Sequence, residues 1–493
     1  MKNLKKKFEE KILAYALKNA IEHEGKAQAG AILSPLFHEG LEKSQVKEVM
    51  PLINEILKKV NSMKPEEQQK QFKKEADEVS HRDVREEGEL PELENAIQGK
   101  VVLRLAPFPS GALHIGNTKT YLLNALYAEK YKGKLLFIMD DTIGSEQKMI
   151  APEAYDLIPE AFDWLNVKYK KPIIFKSDRL KIYYKYAEEL IKKDKAYVCS
   201  CKQETLRENR AKGIECEHRK QSPDENLKLW KEMFKAKEGS CALRIRTSMS
   251  HPNPAFRDRV LFKIVDREHP KTKNKYRVWP TLEMSWGIDD HLLEITHIIR
   301  GKELMIETDM EKYIMDIFKW KHPEFIHVGW IKLEGIGAKI SKSKAQQEIK
   351  SGKFFGWHDP RSWSVQSLMM RGIQPEAIKT FVENMGLKLS DASIPVDVLY
   401  SINRKLLFDK AIKATFSQDN SSQKTKRKNK TKAQNTDNNL TEIEVLMPDA
   451  SIVKGNSDIE IKKLKDKQII YFTSFGYVRY NEKEKTKFWF THD

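Results

Sequence analysis

The run VVLRLAPFPSGALHIGNTKTYLLNALYAEKYKGKLLFIMDD, residues 101–141, constrains the fold of this chain more than any other stretch. A short β-rich segment ends in a Pro-Ser-Gly turn, helical spacing follows as far as Gly133, and a second apolar run, KLLFIMDD, reads as a strand. Strand, turn, helix, strand is a βαβ unit. Such a unit opens a parallel α/β sheet, with its ligand crevice outside the carboxyl ends of the strands.

The rest of the chain extends this core. Its 493 residues suffice for three or four domains, at roughly 150 residues each. Residues 1–96 read as a helical N-terminal appendage and linker, from helical spacing in FEEKILAYALKNAIEH and VKEVMPLINEILKKV. Residues 97–196 form the first half of the α/β domain. The charged stretch 197–275 reads as an insertion, and 276–356 as the second half. A helical region covers 357–416. Residues 417–439, SQDNSSQKTKRKNKTKAQNTDNN, have almost no apolar side chains and read as a basic disordered linker. Alternation returns in QIIYFTSFGYVRYN and TKFWFTHD, so 440–493 read as a small C-terminal β-domain.

Charge and cysteine usage narrow the class. There are 88 Lys and Arg against 71 Asp and Glu, a formal charge of +17, which favours a polyanionic partner, nucleic acid first. Four cysteines cannot form a disulfide framework, the N-terminus lacks the apolar core of a signal peptide, and no apolar run approaches a membrane span. The expectation is a reducing compartment and no membrane.

Three clusters carry candidate chemistry. In Pro109–Asn117, a strand turns into a helix. Glycines there permit close approach to a nucleotide, the helix N-terminus offers N–H groups to an anion, and His114 can donate to a phosphate oxygen. A capping histidine is the structural alternative. Lys339-Ile340-Ser341-Lys342-Ser343 follows a glycine turn, and its ammonium groups suit a polyphosphate. A solvated basic loop is the alternative. Cys199, Cys201, Cys216 and His218 form two close pairs of the kind tetrahedral Zn²⁺ accepts, with reduced, partly buried thiols as the alternative and Cys241 assigned to the core.

With HIGN and KISKS in this order, the chain resembles class I aminoacyl-tRNA synthetases, and more narrowly the archaeal-type glutamyl-tRNA synthetases. LRLAPFPSGALHIGN, DDTIGSE, SDRLKIYYKYAEELIKKDKAYVCSC, HPNPAFRD, IDDHLLEITHIIRGKEL, GWHDPRSW and RGIQPEAIKTF carry the resemblance over nearly the whole length. It implies a multidomain α/β protein: a Rossmann-like core split by an acceptor-binding insertion, with a helical N-terminal domain, a helical stem-contact region and a small C-terminal β-barrel-like domain.

The implied reaction joins glutamate and ATP as glutamyl-adenylate and passes the acyl group to tRNA(Glu), with tRNA(Gln) a further candidate that a downstream amidotransferase would serve. An in-line attack by a carboxylate needs no protein nucleophile, so His114, Lys339 and Lys342 form an electrostatic catalytic set, aided by Mg²⁺. The implied ATP site is Pro109, Gly111, His114, Gly116, Asn117, Lys339, Ser341, Lys342 and Ser343. The implied glutamate site is Arg104, Ala106, Asp140 and Arg300. A guanidinium at 300 suits a γ-carboxylate, and a neutral amide there would leave it a buried unpaired charge, which sets glutamate above glutamine. An ion pair of Arg300 with Asp289 or Asp290 is the structural alternative.

The chain departs from the pattern of the family it resembles at Ile138, where arginine is usual, and at Leu282, where tyrosine is usual, with Trp286 or Glu283 available to compensate. From Phe416 onward only about one barrel's worth of β pattern remains. Lys424, Lys426, Arg427 and Lys428, with Lys430 and Lys432, can hold RNA phosphates, or belong to a plain solvated linker. The expected protein is a cytoplasmic monomer. A glutaminyl-tRNA synthetase and a non-catalytic tRNA-binding paralogue are its rivals.

Overall fold

A computed structural model of the chain describes every residue except 1, 24, 39–40, 42–44, 76–89, 144–148, 337–341 and 420–439. The chain forms two compact units, 1–87 and 88–493. In the first, helices Lys2–Glu22, Ala29–His38, Val46–Asn61 and Pro65–Glu75 enclose Phe8, Ile12, Leu17, Ile32, Val49, Ile53 and Val60. The expected boundary at 96 falls too late. Leu90 and Leu93 are buried in the core of the second unit, so the chain has joined that unit by residue 90.

The second unit is built on a parallel sheet. Val102–Leu105 pairs with Lys134–Met139, which pairs with Lys170–Phe175. On the other side of the first strand, Thr296 N–H donates to Val102 O at 3.0 Å and leads into His297–Gly301, itself parallel to Glu324–Val328. The first strand is therefore flanked on both sides, with the connections departing in opposite directions. That is the topological switch at which α/β sheets bind ligands. Leu103, Leu105, Phe137 and Met139 are buried together with Leu122, Leu123, Leu126 and Tyr127 of helix Ile115–Lys130, which explains why the strands read as apolar runs.

The helix ends differently from the expectation. Lys132, not Gly133, takes the left-handed conformation (φ 46°). Gly133 is needed for space, since a Cβ there would lie 2.3 Å from Val101 O, beside the Lys134 N–H to Val101 O bond that starts the second strand.

The insertion contains a four-stranded antiparallel sheet, in order Ala196–Cys199, Ala242–Ile245, Val260–Ile264 and Val278–Pro280, packed on Tyr183, Trp230, Phe262 and Trp279. Its last strand extends past the expected limit of 275. Beyond the parallel sheet, Ile331–Glu334 pairs with Ala392–Pro395, and helices Val365–Arg371, Pro375–Met385 and Val396–Leu407 fill the helical region.

The C-terminal domain is a closed six-stranded barrel, in order Ile412–Gln418, Ile452–Ser457, Thr441–Leu446, Phe488–His492, Gly476–Tyr480 and Ile469–Thr473. This corrects the reading of 417–439 as a linker ahead of the β-domain. The strand Ile412–Gln418 closes the barrel by pairing with both Ile452–Ser457 and Ile469–Thr473, so the lysine-rich segment is inserted between the first two barrel strands. The barrel is bound to the helical region by Arg371 Nη2 donating to Thr491 O at 3.0 Å, Arg479 Nη1 donating to Met369 O, Asn481 Nδ2 donating to Met370 O at 3.0 Å, and Asn403 Nδ2 donating to His492 Nε2 at 3.0 Å.

Candidate active site and metal centre

The turn after the first strand is shaped by one glycine. Gly111 has φ 137°, and a Cβ there would meet the Trp357 ring at 2.3 Å. Trp357 packs with Ala112 and with Ala345 of helix Lys342–Lys350, holding that helix against the turn. His114 is the N-cap residue of helix Ile115–Lys130 by backbone geometry (φ −115°, ψ 162°), yet its side chain makes no capping hydrogen bond. The imidazole is thus left for another purpose.

Two buried polar atoms at this turn, His114 Nδ1 and Asn117 Oδ1, have no hydrogen-bond partner among the described residues. Burial first, and the Lys342 ammonium second, hold the His114 pKa down at about 3, so the ring is neutral at physiological pH. The second lysine of the KISKS run thus acts by its charge on the HIGN histidine. A neutral N–H, an amide and an ammonium at a helix N-terminus are suited to a polyphosphate. Lys339 and Ser341 lie outside the described residues. Ser343 lies in the helix that Lys342 begins, and Pro109 and Gly116 lie in and just after the turn.

The candidate amino-acid residues stand at the carboxyl ends of adjoining strands, and the structure gives both arginines protein partners. Arg104 makes a bidentate pair with Asp290, Nε to Oδ1 at 2.5 Å and Nη2 to Oδ2 at 2.9 Å. Arg300 donates from Nη1 to Glu311 Oε1 at 2.9 Å and from Nη2 to Thr308 Oγ1, while its Nε and Glu311 Oε2 have no partner among the described residues. The alternative of an Asp289 or Asp290 partner for Arg300 is therefore replaced by Glu311, because Asp290 is taken by Arg104 and Asp289 by Arg179 and Tyr183.

Burial pushes Glu311 up to about 7, against the opposing pull of Arg300. Asp290 and Arg104 also act on it, so the two ion pairs are neighbours. Asp140 accepts from Trp286 Nε1 at 3.1 Å and from Thr142 Oγ1 at 3.1 Å, with Lys176 Nζ at 3.4 Å. Ala106, Ile138, Leu282 and Trp286 belong to one apolar cluster. Of the two residues considered as compensation, Glu283 is bound to Arg259 and Trp286 joins the site.

The family model described as tRNA synthetases class I (E and Q), catalytic domain, matches residues 100–409. The chain belongs to this family. It is 43% identical to the glutamate–tRNA ligase of Pyrococcus furiosus over 80% of this chain and 70% of the relative. It is 39% identical to that of Methanothermobacter thermautotrophicus over 83% and 73%, and 44% identical to that of Pyrococcus abyssi over 80% and 70%.

Sequence reasoning missed two buried polar residues that contact the candidate site, Lys176 beside Asp140 and Glu311 beside Arg300. Lys176, wholly buried, left a weak signal as a lysine directly after the apolar run 172–175. Glu311 left none, since its partner depends on how helix Met305–Phe318 packs.

The synthetase's insertion holds a second candidate centre. One ligand atom from each of Cys199, Cys201, Cys216 and His218 lies within 4.8 Å of the others. Cys199 and Cys216 sulfurs are 3.8 Å apart, and His218 Nδ1 is 3.4 Å from Cys201 Sγ and 3.8 Å from Cys199 Sγ. A tetrahedron with Zn–S bonds of about 2.3 Å has edges of about 3.8 Å, so the donor set fits zinc. Ser200 Oγ holds His218 Nε2 at 2.7 Å and keeps Nδ1 facing the sulfurs. Arg244 Nη1 lies 3.6 and 3.7 Å from the Cys199 and Cys216 sulfurs and offsets thiolate charge. Cys241 stands apart, half-buried against the insertion core.

Lys424, Lys426, Arg427 and Lys428 lie outside the described residues. No helix among the described residues is long and apolar enough to cross a membrane.

Proposed function

We propose that this synthetase activates L-glutamate with ATP and transfers it to the 3′ end of tRNA(Glu). The observation that carries the reading is the convergence of Arg104, Asp140 and Arg300 at the carboxyl ends of adjoining strands, beside a turn where His114 and Asn117 keep buried polar atoms unpartnered. The naming of its relatives as glutamate–tRNA ligases supports it.

In the first step the glutamate α-carboxylate attacks the α-phosphate in line and pyrophosphate leaves. His114 donates to a phosphate oxygen, and Lys342 with Lys339 offsets charge on the departing pyrophosphate. When bound to the polyphosphate, Mg²⁺ would supply further charge neutralisation beside Lys342 and Lys339. Arg300 faces the γ-carboxylate and Asp140 the α-ammonium. In the second step a terminal ribose hydroxyl takes the acyl group and AMP leaves. Cys199, Cys201, Cys216 and His218 hold a structural Zn²⁺ with all four positions filled by protein, and Lys424, Lys426, Arg427 and Lys428 contact tRNA phosphates. The enzyme is a cytoplasmic monomer.

The test is ATP–pyrophosphate exchange with glutamate and with glutamine in the presence of tRNA, followed by charging of purified tRNA(Glu) and tRNA(Gln). Glutamate-dependent exchange and charged tRNA(Glu) are expected, and glutamyl-tRNA(Gln) would imply an amidotransferase acting afterwards. Preference for glutamine would identify a glutaminyl-tRNA synthetase. The pairing of both arginines with protein carboxylates favours a second reading, a tRNA-binding paralogue that binds without charging.

A further inference from the structure

Trp286 stands in the middle of the charged groups assigned to the amino acid. Its side chain is buried on helix Leu282–Leu292. Two cations lie over the indole, with Arg104 Cζ 3.5 Å and Lys176 Nζ 3.3 Å from the ring centroid. Its N–H donates to Asp140 Oδ2. Leu136, Ile138, Ile295 and Ile298, with Ala106 and Leu282, belong to the same apolar cluster as the ring, so the indole joins that cluster to the charged groups.

The charges here are already balanced without a substrate. Arg104 is paired with Asp290, and Lys176 is bonded to Ser285 Oγ at 2.7 Å and lies near Asp140. A carboxylate accepts at about four positions and an ammonium donates three hydrogen bonds. The indole N–H fills one position on Oδ2 and leaves a second, so an amino acid that sets its ammonium on Asp140 shares that oxygen with the ring beside it. A carboxylate set on Arg104 would bond in the guanidinium plane, where Asp290 already holds two N–H groups, while the indole covers the guanidinium face and fills the space beside it. Cation–π contacts of this kind are worth about 0.5–2 kcal/mol when desolvated, comparable with a hydrogen bond.

We propose that Trp286 is an intramolecular competitor for the amino-acid seat, filling the space over Arg104 and one position on Asp140 Oδ2 until an amino acid displaces it. This rests on the reading of the site as the glutamate site of a ligase. The competition sets the apparent affinity for glutamate and leaves ATP binding to the separate turn at His114. It also gives a sign opposite to that of an ordinary pocket wall. A wall that packs on the substrate binds it less well when truncated, whereas a competitor binds it better.

The experiment is ATP–pyrophosphate exchange with glutamate, with tRNA present, for the full-length wild type, Trp286→Ala and Trp286→Phe, with thermal melting of each. The expected result is a KM for glutamate about tenfold lower in Trp286→Ala and about threefold lower in Trp286→Phe, which keeps the ring and loses the N–H, at unchanged KM for ATP. Should the alanine variant fail to fold, the phenylalanine variant decides alone. Glutamate should also change the tryptophan emission of the wild type and not that of Trp286→Phe.

An active wild type whose variants show an equal or higher KM for glutamate overturns the competition and leaves the ligase reading intact. An inactive wild type revived by either variant supports the competition. No exchange with any of the three overturns the ligase reading, and the competition with it.

Discussion

The turn at His114 and the seam between the barrel and helix Val365–Arg371 both depend on buried polar side chains, and they treat them differently. At the turn, His114 Nδ1 and Asn117 Oδ1 are left without described partners. At the seam, Arg479, Asn481, Asn403 and His492 each have a partner across the interface, and Arg371 has one for Nη2 but none among the described residues for Nη1. An unpaired buried polar atom costs about 1–3 kcal/mol, so a site that keeps such atoms open is arranged for something that arrives later. A seam that closes most of them is arranged to stay shut. The amino-acid site is a third case, where the charged groups are nearly all paired, but with one another and with an indole.

Four experiments would break or sharpen this contrast. The largest effect is expected at the turn. Lys342→Ala should lower the exchange rate by about 10²–10³ while the denaturation midpoint stays nearly constant, and a matching loss of stability would make Lys342 a structural residue. The insertion should respond next. Cys216→Ser should release bound zinc, read by metal analysis, and cost about 3 kcal/mol in denaturant unfolding.

At the seam, Arg479→Met should cost about 2 kcal/mol of stability through the lost bond to Met369 O and leave the KM for glutamate and ATP unchanged. The smallest effect concerns pH. Burial first holds the His492 pKa at about 4, below its ordinary 6.5, with Arg404 and Arg371 adding to the shift and Asp493 opposing it. A depressed folded pKa means that its contribution is complete above pH 6.5 and is lost as pH falls through 4, about 1 kcal/mol at pH 5.5. His492→Gln should flatten that slope in unfolding measured from pH 7 to 5.

The helix after the HIGN turn and the two strands around it were readable because their signals are local: apolar runs, helical spacing and a glycine turn within 101–141. The Cys and His cluster was readable for the same reason, since its two close pairs need only one fold-back to meet. The Arg104 pair with Asp290 was not, because 186 positions separate them. Nor was the first barrel strand, whose neighbours Ile452–Ser457 and Ile469–Thr473 come after a lysine-rich insertion that hides the continuity.

Residue order by itself therefore determined the parallel sheet, the glycine turn after its first strand and the family to which the chain belongs. These follow from short-range periodicity and turn chemistry, which act before any distant contact forms. Tertiary packing alone decided which carboxylate each arginine holds, that Trp286 lies among them, and that the barrel closes around an interrupted strand. Those outcomes depend on desolvating charges against particular neighbours, and the neighbours are chosen only when the helices and sheets come together.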